Sequence, residues 1–202
     1  MWIHEAFATY AETQVIEHRF GKELAYESML EQVDAVHNEE PVIGVYDVNH
    51  IHYDIADMYS KGSLMLHTFR NVLNNDTLWV NLLHDIQQHF RYQTITSDQL
   101  IAYINQQTKT DYTYLFDQYL KYTNLPILEL ELQEKDKNLI AKYRWQADVK
   151  NFRMPVKVIT ATDHFEFIYP TSDWKTTTLN NLSAHEFEVN EEHFYIEVTM
   201  NE

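Results

Sequence analysis

Apolar and polar positions follow one period up to about residue 122 and another beyond it. In the first stretch apolar residues recur at intervals of three and four: Ile3, Phe7, Tyr10, Ala11 and Val15, then Leu24, Met29, Leu30, Val33 and Val36. A helix gathers such positions on one face, so this part of the chain predicts a succession of amphipathic helices. Gly21 is placed to end the first of them, because glycine alone enters positive φ without steric cost. Asp76 reads as the cap of a helix over 77–90, Thr96 and Gln99 form a capping-box pair ahead of 100–104, and Asp111 reads as the cap of a last helix over 112–120. Between the second and third helices, 37–53 carries Pro41 and Gly44 and holds no helical period, so it reads as a loop lining a site.

After Thr123-Asn124-Leu125-Pro126 the period falls to two. ILELELQ alternates leucine with acids, NLIAKYRW follows a charged EKDK turn, and MPVKVIT, FEFIY and FYIEV supply further short segments. Alternation sends successive side chains to opposite faces of a strand, so 124–202 predicts a small antiparallel β domain, β-sandwich-like or an open barrel, in which Trp145, Phe152 and Tyr169 pack against the domain itself or the last helix. The expected class is therefore α+β, with a helical part over 1–123 and the β domain behind it.

Composition removes several functions. The chain has 202 residues, 45% of them apolar, with only three Gly and four Pro, which suits dense secondary structure around a sizeable core. Fifteen Lys and Arg against 31 Asp and Glu give a formal charge of −16, which repels phosphate backbones and argues against a nucleic-acid partner. No apolar run approaches the ~20 residues of a membrane span. With no Cys, disulfides and thiolate metal sites are excluded.

Eleven His invite a search for metal sites, and spacing decides against a self-contained one. His4-Glu5 is not followed by a second His on the same helix face, His50 and His52 are two apart in a loop, and His84 and His89 are five apart on different sides of a helix. Neither a GxSxG elbow nor a Gly-rich phosphate loop occurs. Glu5, behind a Trp-Ile-His lead-in at the start of a helix, reads from spacing alone as one more solvated acid or as a carboxylate held for chemistry. Tyr59 reads as a core aromatic, since fourteen Tyr are available and most must pack.

Two short motifs change that picture. WIHEAFATY resembles W-(L/I)-N-E-G-(F/W)-A-x-Y, and MYSKGSLMLHTFR, about fifty residues later, resembles Y-x-K-G-(A/S)-x-x-L-x-x-(L/F)-R. Both are motifs of the aminopeptidase N family (peptidase family M1) of zinc metallopeptidases, which are gluzincins, and the resemblance extends over nearly the whole chain. It implies a zinc-peptidase catalytic domain for the helical part, with Zn2+ as cofactor and a peptide as substrate. Glu5 corresponds to the glutamate that joins two histidines of an HExxH helix in holding zinc, and Tyr59 to the tyrosine whose phenol donates to the oxyanion at the scissile carbonyl. Glu12, seven residues beyond Glu5 on the same face, is either an acceptor for a ligand histidine or a surface acid. Gly62 is expected to permit close helix approach, Lys61 to pair with an acid, and Arg70 to serve the fold. His4 stands where Asn is commonest in the family and Ala6 where Gly is.

The HExxH segment, its general base and the segment that recognises the substrate's amino terminus belong ahead of Met1 in such enzymes. The chain is therefore expected to be the C-terminal portion of a longer aminopeptidase, inactive alone, with periplasmic or cell-surface location implied only by the resemblance. Self-association through the catalytic-domain face left exposed is a further expectation. The alternative is a non-catalytic protein-interaction module on a degenerate peptidase scaffold.

Overall fold

The computed structural model describes residues 1–44, 56–161 and 164–201. Part of the 37–53 loop therefore lies outside the described residues. The chain divides into two compact units, Met1–Thr123 and Asn124–Glu202. Among the described residues the first is helical and the second is built of strands, an α+β chain.

The first unit begins with α1 (Trp2–Phe20), which carries Glu5 in its first turn and His18 and Arg19 in its last, the order of charge that the helix dipole favours. Gly21 ends it at φ 101°, a backbone conformation closed to other side chains, and its N–H reaches Glu17 O at 3.1 Å. The same glycine opens α2 (Lys22–Asp34), so the two helices fold back on each other, tied by Gln32 Nε2 donating to Thr13 Oγ1 at 2.9 Å. Their buried faces are not the apolar stripes that the sequence suggests. Trp2, Ala6, Tyr10 and Thr13 are buried in α1, and Ala25 and Met29 in α2. Val15, Leu24, Leu30 and Val33 stay exposed. Ala6, Thr13 and Ala25 thus take buried places alongside Trp2, Tyr10 and Met29, while several larger apolar residues lie outside.

A short 3₁₀ turn (Ala56–Met58) leads into α3 (Ser60–Leu73), whose residues Ser60 to Leu66 are all buried, the mark of a central helix. Asn74 at φ 47° closes it, and Asn75 caps α4 (Asp76–His89) by accepting the Leu78 N–H at 2.9 Å. The cap falls one residue before the expected Asp76, whose carboxylate is engaged by Arg70 instead. The Thr96 and Gln99 capping box opens α5 (Ser97–Thr108) as expected. Asp111 precedes the N-cap residue Tyr112 of α6 (Thr113–Lys121) and accepts the Thr113 N–H at 3.0 Å. Phe69 of α3, fully buried, centres the core, with Tyr112 and Phe116 rings at 5.0 Å and Trp79 at 6.0 Å.

In the second unit β1 (Ile127–Lys135) and β2 (Asn138–Gln146) form a hairpin around Asp136-Lys137, both at positive φ as a type I′ turn requires. The register opposes Leu128 to Trp145 and Leu130 to Tyr143 on the buried face, and Glu129 to Arg144 and Glu131 to Lys142, both ion pairs, on the other. β3 (Val156–Ala161) and β4 (His164–Ile168) make a separate two-stranded sheet. β5 (Lys175–Asn180) and β6 (Glu197–Asn201) complete a four-stranded sheet in the order β5-β2-β1-β6. One pairing departs from the antiparallel expectation: β6 returns beside β1 in parallel, so this sheet is mixed. Trp145 and Phe152 are buried with rings 5.4 Å apart, whereas Tyr169, expected in the core, is 61% exposed.

Candidate active site

The placement of Glu5 and Tyr59 follows from how α1 and α3 cross. A Cβ built on Gly62 would lie 2.5 Å from the Ala6 Cβ, so the two helices meet almost backbone to backbone, the close approach expected of Gly62. Further along, the Tyr10 hydroxyl lies 3.5 Å from His67 Nδ1, and Arg70 Nη1 donates to Glu17 Oε2 at 2.6 Å. Contacts that advance together along both helices mean that α1 and α3 run in the same direction. Their N-terminal ends therefore share one end of the pair. Glu5 lies in the first turn of α1, half-buried, and Tyr59 is the N-cap residue of α3, with 39% of its surface exposed. The Trp2 indole N–H, donating to Ser97 Oγ at 2.8 Å, holds the start of α1 against the start of α5. Glu12 is exposed, on the same face of α1 as Glu5.

Three residues fix the stretch around Tyr59. Asp57, only 3% exposed, accepts the His37 N–H on Oδ1 at 2.8 Å and the Asn38 N–H on Oδ2 at 2.9 Å. Lys61 is fully buried, and the carbonyl oxygens of Tyr122 and Thr123, at 2.9 and 3.1 Å, accept from its ammonium. Gly62 then seats against Ala6. Sequence reasoning missed Asp57, because a single acid in IADMYSKG carries no periodic or motif signal.

Arg70 has the structural role expected. Burial disfavours its charge, but hydrogen bonds to Glu17, Asp76 and Tyr10 outweigh this and hold its pKa above the ordinary arginine value. It joins α1, α3 and the start of α4. Burial pushes the Tyr10 hydroxyl up to about 12, against the opposing pull of Arg70.

Among the described residues no three His, Asp or Glu side chains gather as a metal site requires. Glu5 is one oxygen donor of the kind zinc accepts, and the described chain does not furnish the remaining donors.

Comparison with known proteins gives the class. The profile of the peptidase family M1 domain matches residues 1–119, and the chain belongs to that family. Among solved structures it is similar to the crystal structure of Legionella pneumophila aminopeptidase A in complex with aspartic acid, with a TM-score of 0.75 at 9% identity. That likeness, of fold, covers 100% of this chain and 24% of the Legionella protein, so the chain spans about a quarter of its length. The comparison with curated proteins gives no match.

Proposed function

We propose that this chain contributes part of the active site of a zinc aminopeptidase, with Glu5 as a carboxylate ligand and Tyr59 as the hydrogen-bond donor to the oxyanion. The observation that carries the reading is the parallel α1 and α3 pair, locked at Ala6 and Gly62, with both residues at its N-terminal end. Zinc, completed by donors outside this chain, supplies Lewis-acid polarisation and an activated water. The chain's own contribution to turnover is at Tyr59: its O–H donates to the carbonyl oxygen of the scissile bond, and that hydrogen bond strengthens as negative charge develops there. Glu12 accepts from a ligand histidine, fixing the orientation of its ring. The substrate is a peptide cleaved at its amino-terminal bond.

Zinc stoichiometry by elemental analysis and hydrolysis of an aminoacyl anilide test this on the chain alone and on a longer protein that carries an HExxH segment ahead of it. The longer protein is expected to bind zinc and turn over, and the chain alone to do neither. Glu5→Ala should strip the metal. Tyr59→Phe should leave zinc in place and lower kcat by about 10²–10³-fold, the effect of losing one oxyanion donor. Stoichiometric zinc with turnover in the chain alone would place the active site elsewhere.

One observation favours the alternative of an interaction module. Val15, Phe20, Leu24, Leu30 and Val33 of α1 and α2 are exposed apolar side chains on an otherwise acidic protein. On the first reading they meet the rest of the enzyme, and in the isolated chain they promote self-association; on the second they dock another protein. A longer protein that lacks HExxH and turns over nothing would decide for the second.

A further inference from the structure

Tyr59, 39% exposed, stands at a helix N-cap position and makes no side-chain cap hydrogen bond there, so where its hydroxyl goes depends on the backbone that carries it. That backbone is held from both sides. Two residues before it, the buried Asp57 carboxylate clamps consecutive main-chain N–H groups of His37 and Asn38, beyond the end of α2. Two residues after it, the buried Lys61 ammonium donates to the Tyr122 and Thr123 carbonyls at the end of α6, where free carbonyls and the helix dipole both favour a cation. Burying either charge is costly unless it is hydrogen-bonded, and main-chain groups supply hydrogen bonds to both. Opposite charges four residues apart could pair with each other at less structural cost. Instead each is used to attach the Tyr59 segment to a different part of the helical unit.

We infer that Asp57 and Lys61 are positioning residues that together fix the Tyr59 phenol. The inference rests on the reading of Tyr59 as the oxyanion donor for its catalytic meaning, but the fixing itself is a property of this chain. An oxyanion donor works by being in place before charge develops, and a displacement of about 1 Å is enough to cost up to 10²-fold in rate. An N-cap residue on an unanchored loop would not hold that tolerance.

The experiment labels the chain with 3-fluorotyrosine and assigns the Tyr59 resonance in fluorine NMR by its loss in Tyr59→Phe. In Asp57→Asn, where one amide N–H is turned against a main-chain N–H, and in Lys61→Met, which keeps the stem and removes the ammonium, the Tyr59 resonance is expected to narrow and move towards that of free fluorotyrosine. The buried Tyr10 and Tyr119 resonances should stay in place, and Lys61→Arg, which keeps the charge and donors, should restore the Tyr59 line. An unmoved Tyr59 resonance in folded variants overturns the proposal, as does loss of every buried tyrosine resonance in both Asp57→Asn and Lys61→Met, which would reduce both residues to general supports of the fold. In the longer zinc-bearing protein the same variants should lower kcat by about ten- to a hundred-fold with KM and zinc content unchanged. A displaced resonance with unchanged kcat would leave the positioning intact and remove the oxyanion role from Tyr59, so the two failures are distinct.

Discussion

Single side chains decide how closely the helical unit closes. Gly62 faces Ala6 so tightly that any added carbon must push α1 and α3 apart. Gly62→Ala is expected to destabilise the unit by roughly 1–3 kcal/mol, the usual cost of overpacking. Ala6→Gly in the same chain should return part of that loss, less the roughly 1 kcal/mol that glycine costs inside a helix. Thermal unfolding of the two single variants and the double variant measures the coupling, and simple additivity would mean that the contact is not where the cost arises. Tyr10 makes a second residue-scale prediction. Its hydroxyl pKa, about 12 when folded against 10 unfolded, means that the unfolded chain gives up this proton first as pH rises. Stability from this group is therefore complete below pH 10 and is lost between pH 10 and 12. The loss should amount to about 2–3 kcal/mol, since a tenfold difference in proton affinity between the folded and unfolded chain corresponds to about 1.4 kcal/mol. Melting curves across that range should fall less steeply for Tyr10→Phe than for the unaltered chain.

At the scale of elements, α3 is the member around which the helical unit is organised, and Arg70 ties three helices at its end. Its guanidinium meets Glu17 of α1 and Asp76 at the start of α4, with 16% of the arginine side chain exposed. Arg70→Met keeps much of the stem but leaves the half-buried Glu17 without this partner, and should cost about 1–3 kcal/mol after allowance for solvent at the exposed Asp76. Denaturant melts with and without 1 M salt check it, because screening should shrink the difference at the exposed pair more than at Glu17. Much of this level is legible in the chain: Gly21 as a stop, the Thr96 and Gln99 box, and the change of period near Asn124 all act through local backbone chemistry. Asp76 misleads because two adjacent residues can both cap, and only the nearness of Arg70 decides that Asn75 does so. β5 lacks the apolar alternation of the other strands, and in KTTTLN only the β-branched threonines, which strands favour, mark it.

The whole molecule is two units with separate cores, one around Phe69 and one around Leu128, Leu130, Trp145 and Phe152. A unit with its own core can fold alone, so residues 124–202 expressed by themselves are expected to give a cooperative transition in near-ultraviolet circular dichroism. A featureless spectrum would show that this core depends on the helical unit. The exposed apolar side chains of α1 and α2 belong to this scale too. Concentration-dependent sedimentation of the chain should weaken when Phe20 and Leu24 are changed to Ser, neither of which is buried.

The sequence by itself determined the change from helix to strand, the helix stops and boxes, and two motifs that mark membership of the M1 peptidases, because these depend on neighbours within a few residues. Only the tertiary structure decided which faces are buried, that β6 returns in parallel beside β1, and that Asp57 and Lys61 bracket Tyr59. Those outcomes depend on partners far along the chain: Asp57 on His37 and Asn38, Lys61 on Tyr122 and Thr123, Gly62 on Ala6. A period of three and four names a helix but cannot say whether valine or alanine faces the core; in α1 the close crossing with α3 chose Ala6, and Val15 stays exposed.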